Sequence, residues 1–217
     1  EYSLRYMLPE IFLFLWALVV LTHDVVTKRR SETSAAYLAM FGLAVTGILL
    51  GIVGQGTGFG NMFVQDAASQ FFKIVFIGAA FMAIGMSFGI LKKRIIHHRA
   101  EFVGLILLST VGMMFLASAN ELLSLYVGLE LTTIPLFVLA AFYKDSKVSV
   151  EAGIKYFIIG AFSSAVLLYG LSFLYGMTGT TDIAEMRIQL TGANLAFDSL
   201  GLVLLLSIIL MIAGIGF

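Results

Sequence analysis

Glu130 and Lys155 are the side chains of this sequence best placed to do chemistry, because each interrupts a long apolar run. The chemistry open to such a pair is proton transfer. Burial raises the pKa of a carboxyl and lowers that of a lysine, while the opposite charge pushes each back toward its ionised form. A third charge moving nearby tips that balance, so the pair can load and unload a proton. An ionisable group at mid-bilayer costs at least about 2.5–3.5 kcal/mol even on lenient insertion scales. Leu or Ala would pack there without that cost, which makes the Glu130 carboxyl a functional candidate.

Glu130 follows Glu121 by nine residues, which places it roughly 13 Å deeper along an α-helix. Tyr126 at i−4 and Thr133 at i+3 share its face, with Thr132 and Ser124 not far around the wheel. Pro135 removes a backbone N–H, which frees the carbonyl of Leu131 and favours a bend. Tyr126, Thr133 and Pro135 together predict a polar stripe able to hold water in an otherwise dry bundle. The plainer alternative is a protonated Glu130 that donates one hydrogen bond to a neighbouring helix. Lys155 lies one turn after Glu151. Its stem can snorkel to the membrane surface, or its ammonium can face the bundle and approach Glu130 through a water chain. Direct contact is disfavoured by a depth difference of roughly 10 Å. Lys73 and Glu101 stand near the ends of apolar runs and read as interfacial. His97 and His98 read as part of a solvated basic loop rather than a metal site.

The elements that hold these groups are transmembrane helices. The 217 residues are 60% hydrophobic and 12% charged, with a mean hydropathy of +1.02. Soluble domains carry about 45–50% apolar and about 25% charged residues, so lipid must solvate much of this surface. A span needs about 20 apolar residues, and seven windows qualify, at roughly 7–27, 35–54, 71–91, 101–119, 121–143, 151–176 and 199–217. The expected fold is an all-α, polytopic transmembrane bundle forming one membrane domain. Residues 1–119 supply spans one to four, and 120–217 supply spans five to seven and the start of a proton half-channel. The connection around Asn120 is short enough for a tight hairpin, and 183–190 reads as a short surface helix.

Lys28, Arg29, Arg30, Lys92, Lys93, Arg94, Arg99, Lys144 and Lys147 fall in alternate connections, against only Arg5 and Arg187 on the other side. That asymmetry predicts an outer N-terminus in a multi-pass protein of the cell membrane. Small residues spread through the spans read as helix-packing positions. The glycine-rich run Gly54–Gly60 lacks the Lys-Ser/Thr of a phosphate loop and reads as a flexible turn. The absence of cysteine excludes disulfides, Cys-bound zinc and iron–sulfur clusters. Zero net charge and the lack of a basic, aromatic-studded patch exclude nucleic-acid binding. The sequence starts at Glu1 and stops at Phe217 inside an apolar run, which points to an N-terminal portion of something longer.

Residues 118–180 carry a resemblance. SANELLSLYVGLELTTIPLFVLAAF and SVEAGIKYFIIGAFSSAVLLYGLSFLYGMTGT look like the subunit N family of respiratory complex I, antiporter-like proton-pumping membrane subunits related to Mrp-type cation/proton antiporters. The resemblance implies a 14-helix fold of which this chain is the first half. It makes Glu130, in LYVGLE, the central glutamate of the fifth helix, and Lys155, in EAGIKYF, the lysine of the sixth. It also implies a subunit of a proton-translocating NADH:quinone oxidoreductase, with flavin, iron–sulfur clusters and quinone on partner subunits and no cofactor in this chain. The expected partners are the other membrane subunits and lipid. The alternative is an Mrp-type antiporter, or the matching subunit of a membrane-bound hydrogenase or F420H2 dehydrogenase.

Overall fold

The computed structural model describes residues 4–26, 34–93, 98–192 and 199–216. A 3-10 turn, Leu4–Met7, leads into α1, Leu8–Val26. There follow α2, Ser34–Ile52; α3, Ala67–Lys93; α4, Arg99–Ser118; α5, Leu122–Ala140; α6, Lys147–Thr178; α7, Ile183–Gly192; and α8, Ser199–Gly216. Six of these are long and apolar enough to cross a membrane by length and composition, and Gly201–Gly216 forms a shorter apolar helix. Each of the seven expected windows is thus helical, and α7 is the short helix expected in the last connection. Lys28, Arg29, Arg30, Arg94 and His97 lie outside the described residues.

The reading of the glycine-rich run as a flexible turn needs one correction. The glycine-rich run is not a loose turn but one arm of a small antiparallel hairpin, β1 (Gly56–Gly58) paired with β2 (Phe63–Gln65). Its tip carries three consecutive residues at positive φ, Phe59, Gly60 and Asn61. Helical periodicity cannot be kept through so many glycines, because each adds backbone entropy that a helix must remove.

Helix ends are set locally. Asp66 and Ser69 cap α3 reciprocally: the Ser69 N–H donates to Asp66 Oδ1 at 2.7 Å, and the Asp66 N–H donates to Ser69 Oγ at 2.8 Å. These bonds, chiefly those from Ser69, hold the exposed Asp66 carboxyl below its ordinary pKa. With the folded value depressed, the cap contributes fully above the ordinary carboxylate range and is lost as pH falls through the depressed value. Asp66→Ala is expected to cost about 1 kcal/mol, seen as a lower melting temperature at neutral pH and a smaller difference in acid. Ser146 caps α6 by accepting from the Ser149 N–H, and Gly179, left-handed at φ 67, closes it.

Four helices share the apolar core. Leu13, Ala17 and Val20 of α1, Ala36, Ala39 and Leu43 of α2, Ala80 and Ile84 of α3, and Val103, Leu107, Val111 and Met114 of α4 pack together. Beyond them α5 packs on α4, α6 on α5 and α8 on α6. Small residues set these distances, since lipid offers no hydrophobic drive between helices. A Cβ on Gly112 of α4 would meet the Thr132 backbone N of α5 and lie 2.6 Å from the Leu131 carbonyl carbon. Gly112→Ala therefore meets backbone, which no rotamer change can clear. It is expected to destabilise the α4–α5 pair by about 1–3 kcal/mol, measurable as a lower melting temperature of the purified assembly. Polar bonds reinforce the next contact: Ser207 donates to the Gly170 carbonyl at 2.8 Å, and Ser163 donates to the Gly214 carbonyl.

One end of the bundle gathers the hairpin, the α4–α5 turn and the α6–α7 connection. The Asn120 N–H donates to the Met62 carbonyl at 3.0 Å, and the Leu122 N–H to the Thr181 carbonyl at 3.1 Å. At the other end the Phe102 and Phe142 rings meet at 5.2 Å, beside the loop that carries Lys144 and Lys147.

Candidate proton-transfer site

α5 is continuous from Leu122 to Ala140 and carries Pro135 inside it. Thr132 and Thr133 turn their hydroxyls back to the carbonyls of Gly128 and Glu130, at 2.8 and 3.3 Å. Ser109 of α4 donates to the Thr132 carbonyl at 3.0 Å. That bond lies next to the Leu131 carbonyl, which Pro135 leaves without its helical donor.

Glu130 is half-buried, and its Oε1 is fully buried without a hydrogen-bond partner. Tyr126, one turn earlier, stands close enough to Glu130 to feel the charge of its carboxylate. A cavity of about 240 Å³ opens beside Tyr126, lined otherwise by apolar side chains including Leu129, Leu167 and Met211. An orphaned carboxyl oxygen is costly in a dry interior, so the arrangement suits a group that accepts a proton or a transient water. Tyr126 and Thr133 lie about one turn from Glu130, and Pro135 lies five residues beyond it on the same helix. Only Tyr126 engages the carboxyl; the Thr133 hydroxyl serves the backbone.

Lys155 is set apart from it. Its Nζ lies 2.5 Å from Glu151 Oε1, and the two side chains are 69% and 63% exposed. Among the described residues no hydrogen bond or ion pair joins Lys155 to Glu130. A cavity of about 520 Å³ is lined by Lys144, Asp145, Lys147, Glu151 and Lys155 at the positively charged end. Lys155 therefore opens toward the mouth of the bundle on the face of α6 that the described helices leave uncovered.

The reading of Lys73 as interfacial is overturned. Lys73 is fully buried, with Nζ 2.6 Å from Oε1 of Glu10, itself 3% exposed. The same ammonium donates to Gln65 Oε1 and lies 4.7 Å from the centre of the Phe63 ring. Its apparent place at a span end arose from starting the third helix at residue 71. The true start is Ala67, and the Asp-Ala-Ala-Ser capping box just before it was the signal that shows this. Glu121 was also missed as a buried group: it is 7% exposed, and Thr181 donates to its Oε1. Glu101 meets His98 at 3.0 Å with both side chains partly exposed. Among the described residues no group of His, Asp or Glu is arranged to hold a metal.

The family profile described as NADH:quinone oxidoreductase/Mrp antiporter, TM, matches residues 119–217. NADH-quinone oxidoreductase subunit N of Trichlorobacter lovleyi is 37% identical over 98% of this chain, and that of Granulibacter bethesdensis 40% identical over 96%. Along nearly its whole length the chain is similar to the subunit N family. It spans 43% of the length of these two relatives. Respiratory complex I from Thermus thermophilus with bound Aureothin contains a chain that superposes with a TM-score of 0.74 at 25% identity, covering 96% of this chain and 43% of that one. A chain of the archaeal membrane-bound sulfane sulfur reductase superposes with a TM-score of 0.75 at 18% identity, over 95% of this chain and 44% of that one. That second likeness concerns the fold, which is the antiporter-like helical bundle. The matched segment contains α5 and α6, and with them Glu130 and Lys155.

Proposed function

We propose that this chain is part of a proton-translocating membrane subunit of an NADH:quinone oxidoreductase, with Glu130 as the central group of a proton half-channel. The observation that carries this reading is the half-buried carboxyl in the middle of α5, one oxygen without a partner, engaged by Tyr126. The Lys-rich end faces the inner side by the positive-inside asymmetry, which puts the N-terminus and the hairpin outside. A proton enters from the mouth lined by Lys144, Lys147 and Lys155. Lys155 hands it toward Glu130 through water, and Tyr126 steadies the acid in either protonation state. Residues beyond position 120 form this half-channel, and the first four helices brace it. Flavin, iron–sulfur and quinone chemistry belongs to partner subunits. Each charge moved against 100 mV costs about 2.3 kcal/mol, so redox chemistry elsewhere in the assembly must drive the step.

Vesicles containing the assembled complex with Glu130→Gln test this reading when ΔpH and quinone reduction are followed together. Translocation is expected to be lost with assembly intact. A second reading, a cation/proton antiporter, draws on the family description, which spans Mrp antiporters as well. It predicts Na⁺-dependent proton movement without quinone turnover in the same vesicles.

A further inference from the structure

The relay makes no use of the most completely buried ionisable pair among the described residues. Glu10 lies two residues into α1, and Lys73 lies six residues, about 9 Å on helix rise, into α3, both at the hairpin end. The ammonium is well provided for. It has Glu10 Oε1 at 2.6 Å, Gln65 Oε1, and the Phe63 ring at 4.7 Å. The carboxylate is not: Glu10 Oε2 is buried with no donor, and so is Gln65 Nε2 with no acceptor. A buried ion pair serves stability only when its remaining lone pairs are satisfied, and apolar residues of similar volume often do as well or better. Here the cation is satisfied and the anion keeps an open lone pair. Desolvation and the neighbouring ammonium pull such a carboxyl in opposite directions, which is the condition for a change of protonation when a nearby charge moves.

We propose that Glu10 and Lys73 form a second proton-exchanging pair, serving the hairpin side of the membrane. The inference rests on the transport reading given above. In uptake one proton bonds to Glu10 Oε2, converting ammonium–carboxylate, net charge zero, to ammonium–carboxylic acid, net charge +1. Release breaks that O–H bond and returns the proton to water, with no electron gained or lost. The way out passes Gln65 to the exposed Asp66, which acts on Lys73 electrostatically. Asp66 stands on the approach to α3, and Arg5 is the charged group of the first turn. Tyr6, whose ring packs against Gly56 of β1, is the titratable group that the first turn brings to the hairpin. At the same end of the bundle α4 carries Ser118, a buried hydroxyl without a partner.

The same hairpin links the pair to Glu130. Phe63 bridges to Ala119, and Asn120 donates from its backbone to Met62 and from its side chain to Asn61, at 3.0 and 3.1 Å. Asn120 immediately precedes the Glu121 cap of α5. A change of charge at Lys73 and Glu10 is thus felt at the root of the helix that bears the central acid.

The test is the double variant Glu10→Leu/Lys73→Met in the full-length subunit within its assembled complex, where protons translocated per quinone reduced are measured. Apolar replacement of the whole pair keeps the packing, so the complex is expected to assemble while translocation falls by about tenfold or more. Unchanged translocation overturns the proposal. Glu130→Gln in parallel separates the two claims. Normal translocation in Glu130→Gln overturns the transport reading itself. A dead Glu130→Gln beside a fully active double variant overturns only the outer pair. If the double variant does not assemble, Glu10→Asp decides, since it keeps the acid and moves it by one methylene. An exchanging carboxyl shifts the pH profile of translocation in Glu10→Asp, and an unshifted profile overturns the proposal.

Discussion

Lys73→Met alone is expected to destabilise the bundle by about 3–5 kcal/mol, the usual cost of removing one partner from a buried ion pair. The substitution leaves the Glu10 carboxylate, 3% exposed, facing Gln65 and Phe63 with no positive charge in reach among the described residues. Gln65 loses its partner as well, which removes the side-chain tie between β2 and the second turn of α3. The hairpin also holds the α4–α5 turn through Asn120, and loosening is therefore expected to spread to the start of α5. Thermal unfolding of the purified assembly, with the yield of intact complex, measures this. A Lys73→Met protein as stable as the parent would show that the pair holds nothing together. The double replacement with Glu10→Leu should recover most of the loss, because the cost comes from the stranded charge and not from the missing lysine.

Glu130→Gln is expected to have the opposite profile, with stability kept and function lost. Gln has nearly the same volume and can still meet the Tyr126 hydroxyl. Glu130 Oε1 has no partner to lose, so no structural bond disappears. What disappears is the ability to bind and release a proton. Proton translocation is expected to fall at least about tenfold, which corresponds to about 1.4 kcal/mol or more in the limiting barrier. Quinone reduction should slow with it wherever the two processes are tightly coupled. Full translocation in the Gln variant would mean that Glu130 is a protonated acid with a purely structural hydrogen bond, and the half-channel would lose its centre.

The sequence by itself determined the solvent and the helices. Seven apolar stretches in 217 residues with 12% charge admit only helices in lipid. Glu130 was visible for the same reason, because an acid nine residues into an apolar helix has no water within side-chain reach. The spacing of Tyr126, Thr133 and Pro135 around it could be read from helix periodicity, as could the alternation of basic loops. None of this depends on which helices touch.

Tertiary structure decided whatever depends on neighbours from distant parts of the chain. Glu10 and Lys73 are 63 residues apart, counting from 10 to 73, and each alone looks like a charge near a span end. Only the packing of α1 beside the α3 side of the bundle, with the hairpin closed over both, removes water from them and makes them a pair. The Gly54–Gly60 segment is likewise indifferent to structure on its own and takes its strand form from Phe63 to Gln65 across the turn. Lys155 shows the converse. Its helix and register were legible, but its environment is set by what covers that face of α6, and exposure is a property of the surroundings. Local periodicity follows from bonds within a few residues, whereas burial and charge pairing are long-range quantities that the chain acquires only on folding.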